Sequence, residues 1–249
     1  MRRRVFLWVA VLLSLGGCAR PGGYGEGLYR APNQRWHAGY HTIRHGDTLY
    51  SIAFQYGFDY RELARWNGIR PPYRIYPGQR LRLRPPPASP APAPVPARKP
   101  SARAAARAKA PPARPPAAAD GAPIRWQWPA HGPLGETFSK RGSGRKGIDI
   151  LGRPGQPVYA AAAGTVVYAG SGLRGYGKLI ILKHNDTFFS AYAHNRRIHV
   201  KEAQRVKKGQ RIADMGSTGA ERAKLHFEIR RNGNPVNPLK YLPRRHRGR

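Results

Sequence analysis

The sequence predicts two folded blocks of different class. The first is a small α+β module of strand–helix–helix–strand order, and the second is a larger all-β domain; a Pro/Ala-rich disordered linker joins them. Three observations carry this reading. Residues 40–84 alternate between period-two and helical patterning. Residues 85–123 are dominated by Pro, Ala, Arg and Lys. Residues 124–243 hold only short apolar runs punctuated by glycine, with no long helical period. A chain of 249 residues has room for one or two domains.

Ahead of the first block, Met1-Arg2-Arg3-Arg4 is a basic start and Val5 to Gly17 an apolar run too short to span a bilayer. Residues 1–17 therefore read as an export signal. The run ends in Leu15-Gly16-Gly17-Cys18, which resembles a bacterial lipobox, and Cys18 is the only cysteine. A lone thiol cannot close an internal disulfide, so covalent lipid attachment, palmitate included, is its expected role. Several acyl chains hold a protein durably to a membrane where one does not. Ala19 is not the Asp of the familiar inner-membrane retention rule, so the outer membrane, periplasmic side, is the expected address. Residues 18–39 are Gly- and Pro-rich and read as a lipid-anchored tether.

In the first block, Tyr40 to His45 alternates as a short strand, and Gly46-Asp47 is a turn in which Asp47 or Thr48 can cap a helix. Leu49, Ile52, Ala53 and Tyr56 share one helical face. A second helix runs from Tyr60 to Trp66 and ends near Asn67-Gly68. Ile75-Tyr76-Pro77-Gly78-Gln79 turns into a last strand, Arg80 to Leu83. The following 85–123 segment buries too little apolar surface to offset its ordering entropy. Its prolines favour polyproline II at about 3.1 Å per residue, a spacer on the order of 100 Å.

In the second block, Val158–Ala162, Thr165–Ala169, Leu179–Lys183, Phe188–Tyr192, Arg211–Met215 and Leu225–Arg230 read as strands. Gly164-Thr165, Gly170 to Gly172, Gly175 to Gly177 and Gly216 to Gly219 read as turns. Residues 244–249 are a basic tail. Lys and Arg number 45 against 12 Asp and Glu, a net charge of +33. That excess favours anionic partners, or reflects a generally Arg-rich proteome. Nucleic acid is not expected as a partner, because the signal exports the chain.

Gly46-Asp47-Thr48-Leu49 and Tyr76-Pro77-Gly78-Gln79, in that element order, resemble a LysM domain. The resemblance implies binding of peptidoglycan glycan strands in a groove between Gly46, Asp47, Thr48, Leu49 and Ile75, Tyr76, Pro77. Leu49 divides between sugar contact and core packing, and Ile52 reads as core.

The second block resembles a LytM (lysostaphin-like) metallopeptidase domain across residues 126–242. Gly147-Ile148-Asp149-Ile150, Ala191-Tyr192-Ala193-His194-Asn195, Gly216-Ser217-Thr218-Gly219 and Leu225-His226-Phe227-Glu228 carry the likeness. Active members of that family hold zinc with H-x-x-x-D and the second His of H-x-H, positions occupied here by Arg145, Asp149 and His226. Two further histidines act in catalysis there; the matching positions are His194 and Lys224. Arg145 has no lone pair to give a metal. The resemblance thus implies a domain with no catalytic residues, no metal and no cofactor. Arg145 is expected to pair with Asp149 and fill the vacated site.

An anchor, a LysM module, a spacer and a degenerate LytM domain together resemble NlpD-type murein hydrolase activators. That likeness implies that the old active-site rim (Arg145, Lys146, Asp149, His194, Lys224, His226 and the loop 216–222) binds a periplasmic zinc amidase. The amidase cleaves N-acetylmuramoyl-L-alanine bonds in septal cell wall during cell division. Two alternatives stand beside it, a wall–membrane tether and a residual zinc metalloendopeptidase.

Overall fold

The computed structural model describes residues 39–86, 123–140 and 145–244. The signal, Cys18, nearly all of the tether and of the linker, and most of the basic tail lie outside the described residues. Among the described residues, no helix is long and apolar enough to cross a membrane.

The first block forms β1 (Tyr40–Thr42), α1 (Leu49–Tyr56), α2 (Tyr60–Trp66) and β2 (Arg80–Arg82), with β1 and β2 antiparallel and Tyr40 opposite Arg82. Thr48 rather than Asp47 caps α1. Its hydroxyl accepts from the Ser51 amide at 3.0 Å, and the Ser51 hydroxyl accepts from the Thr48 amide at 2.9 Å. These reciprocal bonds satisfy two amides that the first helical turn would otherwise leave open. Gly57, at φ 75°, closes α1 in the left-handed region. Asn67 joins the second helix to the second strand: its amide donates to the Leu63 and Arg82 carbonyls, and its carbonyl accepts from the Arg82 amide. Ile43, Leu49, Ile52, Leu63 and Leu81 are buried at the centre.

The second block is antiparallel throughout. Its strands are β3 (Ile148–Leu151), β4 (Pro157–Tyr159), β5 (Gly164–Gly170), β6 (Lys178–Lys183), β7 (Phe188–Ile198), β8 (Arg205–Val206), β9 (Arg211–Met215), β10 (Lys224–Arg231) and β11 (Asn234–Val236). The main path is β11-β10-β7-β6-β5-β8; β3 also pairs with β10, and β9 with β4 and β7. The six expected strands are present, and β7 is longer than its apolar pattern. β8 and β11 are only two and three residues long, β3 alternates only over Ile148-Asp149-Ile150, and none of the three was expected.

The two faces of this sheet are buried by different partners. Ile148, Ile150, Val158, Ile180, Leu182, Tyr192, Ile212, Leu225, Phe227 and Ile229 form the inner core of the domain. Leu179, Ile181, Phe189, Ala191 and Ala193 point to the other face and share a core with α1 and α2. This explains the unbroken run Leu179-Ile180-Ile181-Leu182. An antiparallel strand with one face in water alternates; one covered on both faces is apolar at every position. The first block is that second cover.

Candidate functional site

β10 is the spine of the site. In a strand, side chains two apart share a face. Leu225, Phe227 and Ile229 therefore enter the inner core, while Lys224, His226, Glu228 and Arg230 line the opposite face. Across the ladder, Asp149 on β3 stands directly opposite His226, with Ala193 and Ala191 of β7 opposite His226 and Glu228 on the other side. The small alanines leave room for the long charged side chains beside them.

These groups form a continuous row of alternating charge. Asp149 accepts from Lys224 Nζ through Oδ2 at 2.7 Å and pairs with His226 Nδ1 through Oδ1 at 2.7 Å. His226 Nε2 lies 3.2 Å from Glu228 Oε1, which also accepts from the Tyr176 hydroxyl at 2.8 Å. Arg230 Nε donates to Glu228 Oε2 at 2.8 Å. Burial opposes charge at Asp149, His226 and Glu228, but each has opposite neighbours. Burial alone would lower the His226 pKa; hydrogen bonds to Asp149 and Glu228, with their negative charges, outweigh it and raise it to about 9. His226 is thus an imidazolium donating from both ring nitrogens. Burial would raise Glu228, yet the Arg230 charge and the His226 bond bring it down to about 2. Asp149 is likewise held below the ordinary carboxylate range by His226 and Lys224, against its burial.

His194 faces the row from the side. Its backbone sits at φ 65°, a left-handed conformation that a side chain with a Cβ adopts at some cost, and such strain concentrates at functional sites. Nδ1–H donates to the Thr218 carbonyl at 2.9 Å, and the ring stands 6.0 Å from that of His226. Burial lowers its pKa and keeps it neutral, so Nε2 retains a lone pair. The Thr218 loop is fixed in turn: Thr218 Oγ1 donates to the Asn195 carbonyl and accepts from the Lys178 amide. A Cβ at Gly177 would run into the Thr218 carbonyl, which is why glycine stands where the loops meet.

Of the sequence-predicted rim residues, Asp149, His194, Lys224 and His226 come together. Arg145 does not join them. The expected Arg145–Asp149 pair is corrected: Lys224 and His226 already take both oxygens of Asp149. Arg145 is exposed, donates from Nε to the Thr137 carbonyl at 3.0 Å, and stands 3.9 Å from Glu136. Lys146 is half-buried, and burial together with the nearby Arg230 charge lowers its pKa. Glu228, Arg230 and Tyr176 were not singled out from the sequence. The signal was present in Lys224-Leu225-His226-Phe227-Glu228-Ile229-Arg230, where every second residue is charged and every residue between is apolar.

The arrangement does not fit the zinc ion that the LytM resemblance implies. A catalytic zinc needs three lone-pair donors and an open position. Arg145 offers no lone pair and pairs with Glu136 rather than Asp149, and both Asp149 oxygens are taken, by the Lys224 ammonium and by His226. Among the described residues, no group of three or more His, Cys, Asp or Glu is arranged to hold a metal.

In the first block, the Ile43 amide bonds to the Gln79 carbonyl and the Gly78 amide to the Ile43 carbonyl, which ties the turn at 76–79 to the end of β1. Gly46 and Pro77 are exposed, and Tyr76 is 64 % exposed. Ile75 is half-buried. Leu49 is 1 % exposed and belongs to the core. Asp47 is occupied internally, accepting from the Arg44 amide and pairing with His41 at 3.0 Å. Thr48 donates its hydroxyl to the Val167 carbonyl of β5.

Comparison with known proteins follows the same division. The LysM domain family matches residues 41–84, and peptidase family M23 matches residues 143–238. The chain is 55 % identical to a Pseudomonas aeruginosa protein named Lipoprotein NlpD/LppB homolog, over 84 % of this chain and 78 % of that one. It is 40 % identical to the Escherichia coli uncharacterized lipoprotein YgeR, over 95 % and 93 %. It is 38 % identical to the Escherichia coli protein named Murein hydrolase activator NlpD, over 82 % and 68 %.

Proposed function

The chain belongs to the NlpD/LppB lipoprotein family, with a LysM domain and a peptidase family M23 domain, and on that premise we propose that it activates a cell-wall hydrolase without cutting the wall itself. The hydrolase is a periplasmic zinc N-acetylmuramoyl-L-alanine amidase. The observation that carries this reading is the Lys224 ammonium bonded to Asp149 Oδ2 while His226 holds Oδ1. A built-in cation takes the metal's partner, and the groove becomes a charged docking surface.

The rim residues Lys224, His194, Lys146 and Arg145, with the loop 216–222, are the contact surface. The groove binds the amidase in its open form and shifts it toward that form by mass action. The LysM module holds peptidoglycan, and a lipidated Cys18 holds the outer membrane. Together they set the activator at the division septum, where splitting the wall separates daughter cells.

The test adds the full mature chain to dye-labelled peptidoglycan, with and without the zinc amidase of the same cell. Release only with the amidase is the expected result. Release by the chain alone, together with stoichiometric zinc in elemental analysis, would establish a peptidase instead. No release in either arm would leave a wall–membrane tether. Lys224→Glu should lower amidase stimulation about tenfold, or about 1.4 kcal/mol, more than most interface residues contribute and less than a hot spot; unchanged stimulation removes Lys224 from the contact surface.

A further inference from the structure

The outer face of the peptidase-like sheet is a shaped seat for the chain's own LysM module. Tyr50 and Tyr60 pack their rings against Phe189 at 6.1 and 5.7 Å, and Phe54 packs edge-on against Tyr176 at 5.5 Å. Polar bonds frame the aromatic contacts. The Tyr60 hydroxyl donates to Asp186 at 2.9 Å, and Thr48 donates to the Val167 carbonyl at 3.2 Å. Gly233, at φ 77°, sits in the turn between β10 and β11 so close to the LysM backbone that a Cβ would run into the Phe58 carbonyl. Phe189 is 8 % and Ile181 1 % exposed because this module covers them.

Arg230 stands in both regions at once. One side of its guanidinium donates to Glu228 and so ends the ion-pair row that begins at Lys224. The other side donates from Nη1 to the carbonyl of Phe54 at 2.6 Å, and its central carbon lies 3.4 Å from the centre of the Phe54 ring. Arg230 is 2 % exposed, and the LysM helix supplies that cover.

The geometry points to a coupled device: the docked LysM module clamps Arg230, and through Glu228, His226 and Asp149 it fixes Lys224 in the groove that meets the partner. Undocking lets water reach the guanidinium, weakens its hold on Glu228, and loosens the row from that end. Coupling between two sites is reciprocal. A partner that prefers the ordered groove therefore also favours the docked LysM module, and undocking weakens partner binding by the same factor. The partner half of this inference rests on the activator reading above; the link from seat to groove does not.

The test uses the full mature chain with Cys18→Ser, in wild-type form and with Gly233→Asn. Asparagine tolerates the left-handed region, so the turn is kept while its Cβ opposes the Phe58 carbonyl. Phe189→Ala trims the seat without touching the turn and serves if Gly233→Asn lowers the yield of folded protein. Small-angle scattering reads docking, the NMR signals of the His226 ring read the groove, and amidase stimulation reads the partner. The expected result is a compact wild type, an expanded variant, shifted His226 signals, and a half-maximal activating concentration raised about tenfold, within the usual range of coupling. An extended wild type, or an expanded variant whose His226 signals do not move, overturns the link. If wild type fails to stimulate the amidase while undocking still shifts His226, the activator reading falls and the link stands.

Discussion

Two rows of polar groups cross the peptidase-like sheet, one on each face, and each contains a histidine, His184 buried and His226 half-buried. On the inner face, the Ala161 amide donates to the Tyr192 hydroxyl at 2.8 Å, Tyr192 and Ser190 share a bond of 2.9 Å, and Ser190 lies 2.7 Å from His184 Nε2. His184 Nδ1–H donates to the Ala163 carbonyl at 2.7 Å. On the outer face, His226 is gripped by Asp149 and Glu228. Burial pushes His184 down to about 4, with only a carbonyl to oppose it, whereas two carboxylates lift His226 to about 9 despite its burial. The lesson is that depth does not decide whether a histidine is an ion; the charge of its neighbours does. The inner row is neutral and serves the core. The outer row is charged, begins at the half-buried Lys224, and closes at Arg230 against the LysM module.

The strongest way to break this contrast is Glu228→Gln. Glu228 is fully buried between His226 and Arg230, and the substitution keeps its shape while leaving two cations without their shared anion. Removing one member of a buried ion set costs about 3–5 kcal/mol. Urea unfolding of the full chain measures it. A loss below about 1 kcal/mol, the scale of a neutral hydrogen bond, would mean that the row is not a set of ions.

The next largest effect is on pH, and the two histidines act in opposite windows. His184 folds with its pKa lowered from 6.5 to about 4, so the unfolded chain binds the extra proton first as pH falls. Stability should drop between pH 6.5 and 4 by about 3 kcal/mol, because each tenfold difference in proton affinity between the folded and unfolded chain is worth about 1.4 kcal/mol. His226 folds with its pKa raised from 6.5 to about 9. Its contribution is complete below pH 6.5 and is lost as pH rises through about 9. Unfolding at stepped pH should show His184→Gln flattening the acid slope and His226→Gln flattening the alkaline one. A variant that flattens the other slope would reverse the assignment of ion and neutral.

How much of this contrast was legible in the sequence depends on whether it was local. The LysM elements were, because capping and turn residues (Thr48, Asn67-Gly68) act on their own neighbours. The positions of Asp149, His194, Lys224 and His226 were legible through resemblance, and they do converge. Which cation meets Asp149 was not legible: Arg145 is four residues away in sequence, yet strand register puts Lys224, 75 residues away, beside it. The outer cover of the sheet was not read either, although Leu179-Ile180-Ile181-Leu182 has no polar face and thereby demands a cover on both sides. The proline-rich spacer drew attention to separation, while the aromatic face of α1, with Tyr50 and Phe54 beside its core residues, matched the exposed half of that run. Such long-range pairing leaves no periodicity to read.

The smallest expected effect tests the neutral row. Ser190→Ala removes the hydroxyl that lies between His184 Nε2 and the Tyr192 hydroxyl. Both groups lose a partner in a buried site, but neither is charged. An unsatisfied neutral group costs about 1–3 kcal/mol, and His184 keeps its bond to the Ala163 carbonyl while Tyr192 keeps the Ala161 amide, so the expected loss is about 1–2 kcal/mol. The contrast with Glu228→Gln is the informative quantity. Both substitutions act on the same sheet and change at most one heavy atom, so the difference between them is dominated by charge. If Ser190→Ala costs as much as Glu228→Gln, the penalty comes from breaking any continuous row of bonds, and the charged row has no special hold on the groove. If it costs about a third as much, the energy lies in ions kept from water, and Lys224 at the open end is held by that same energy.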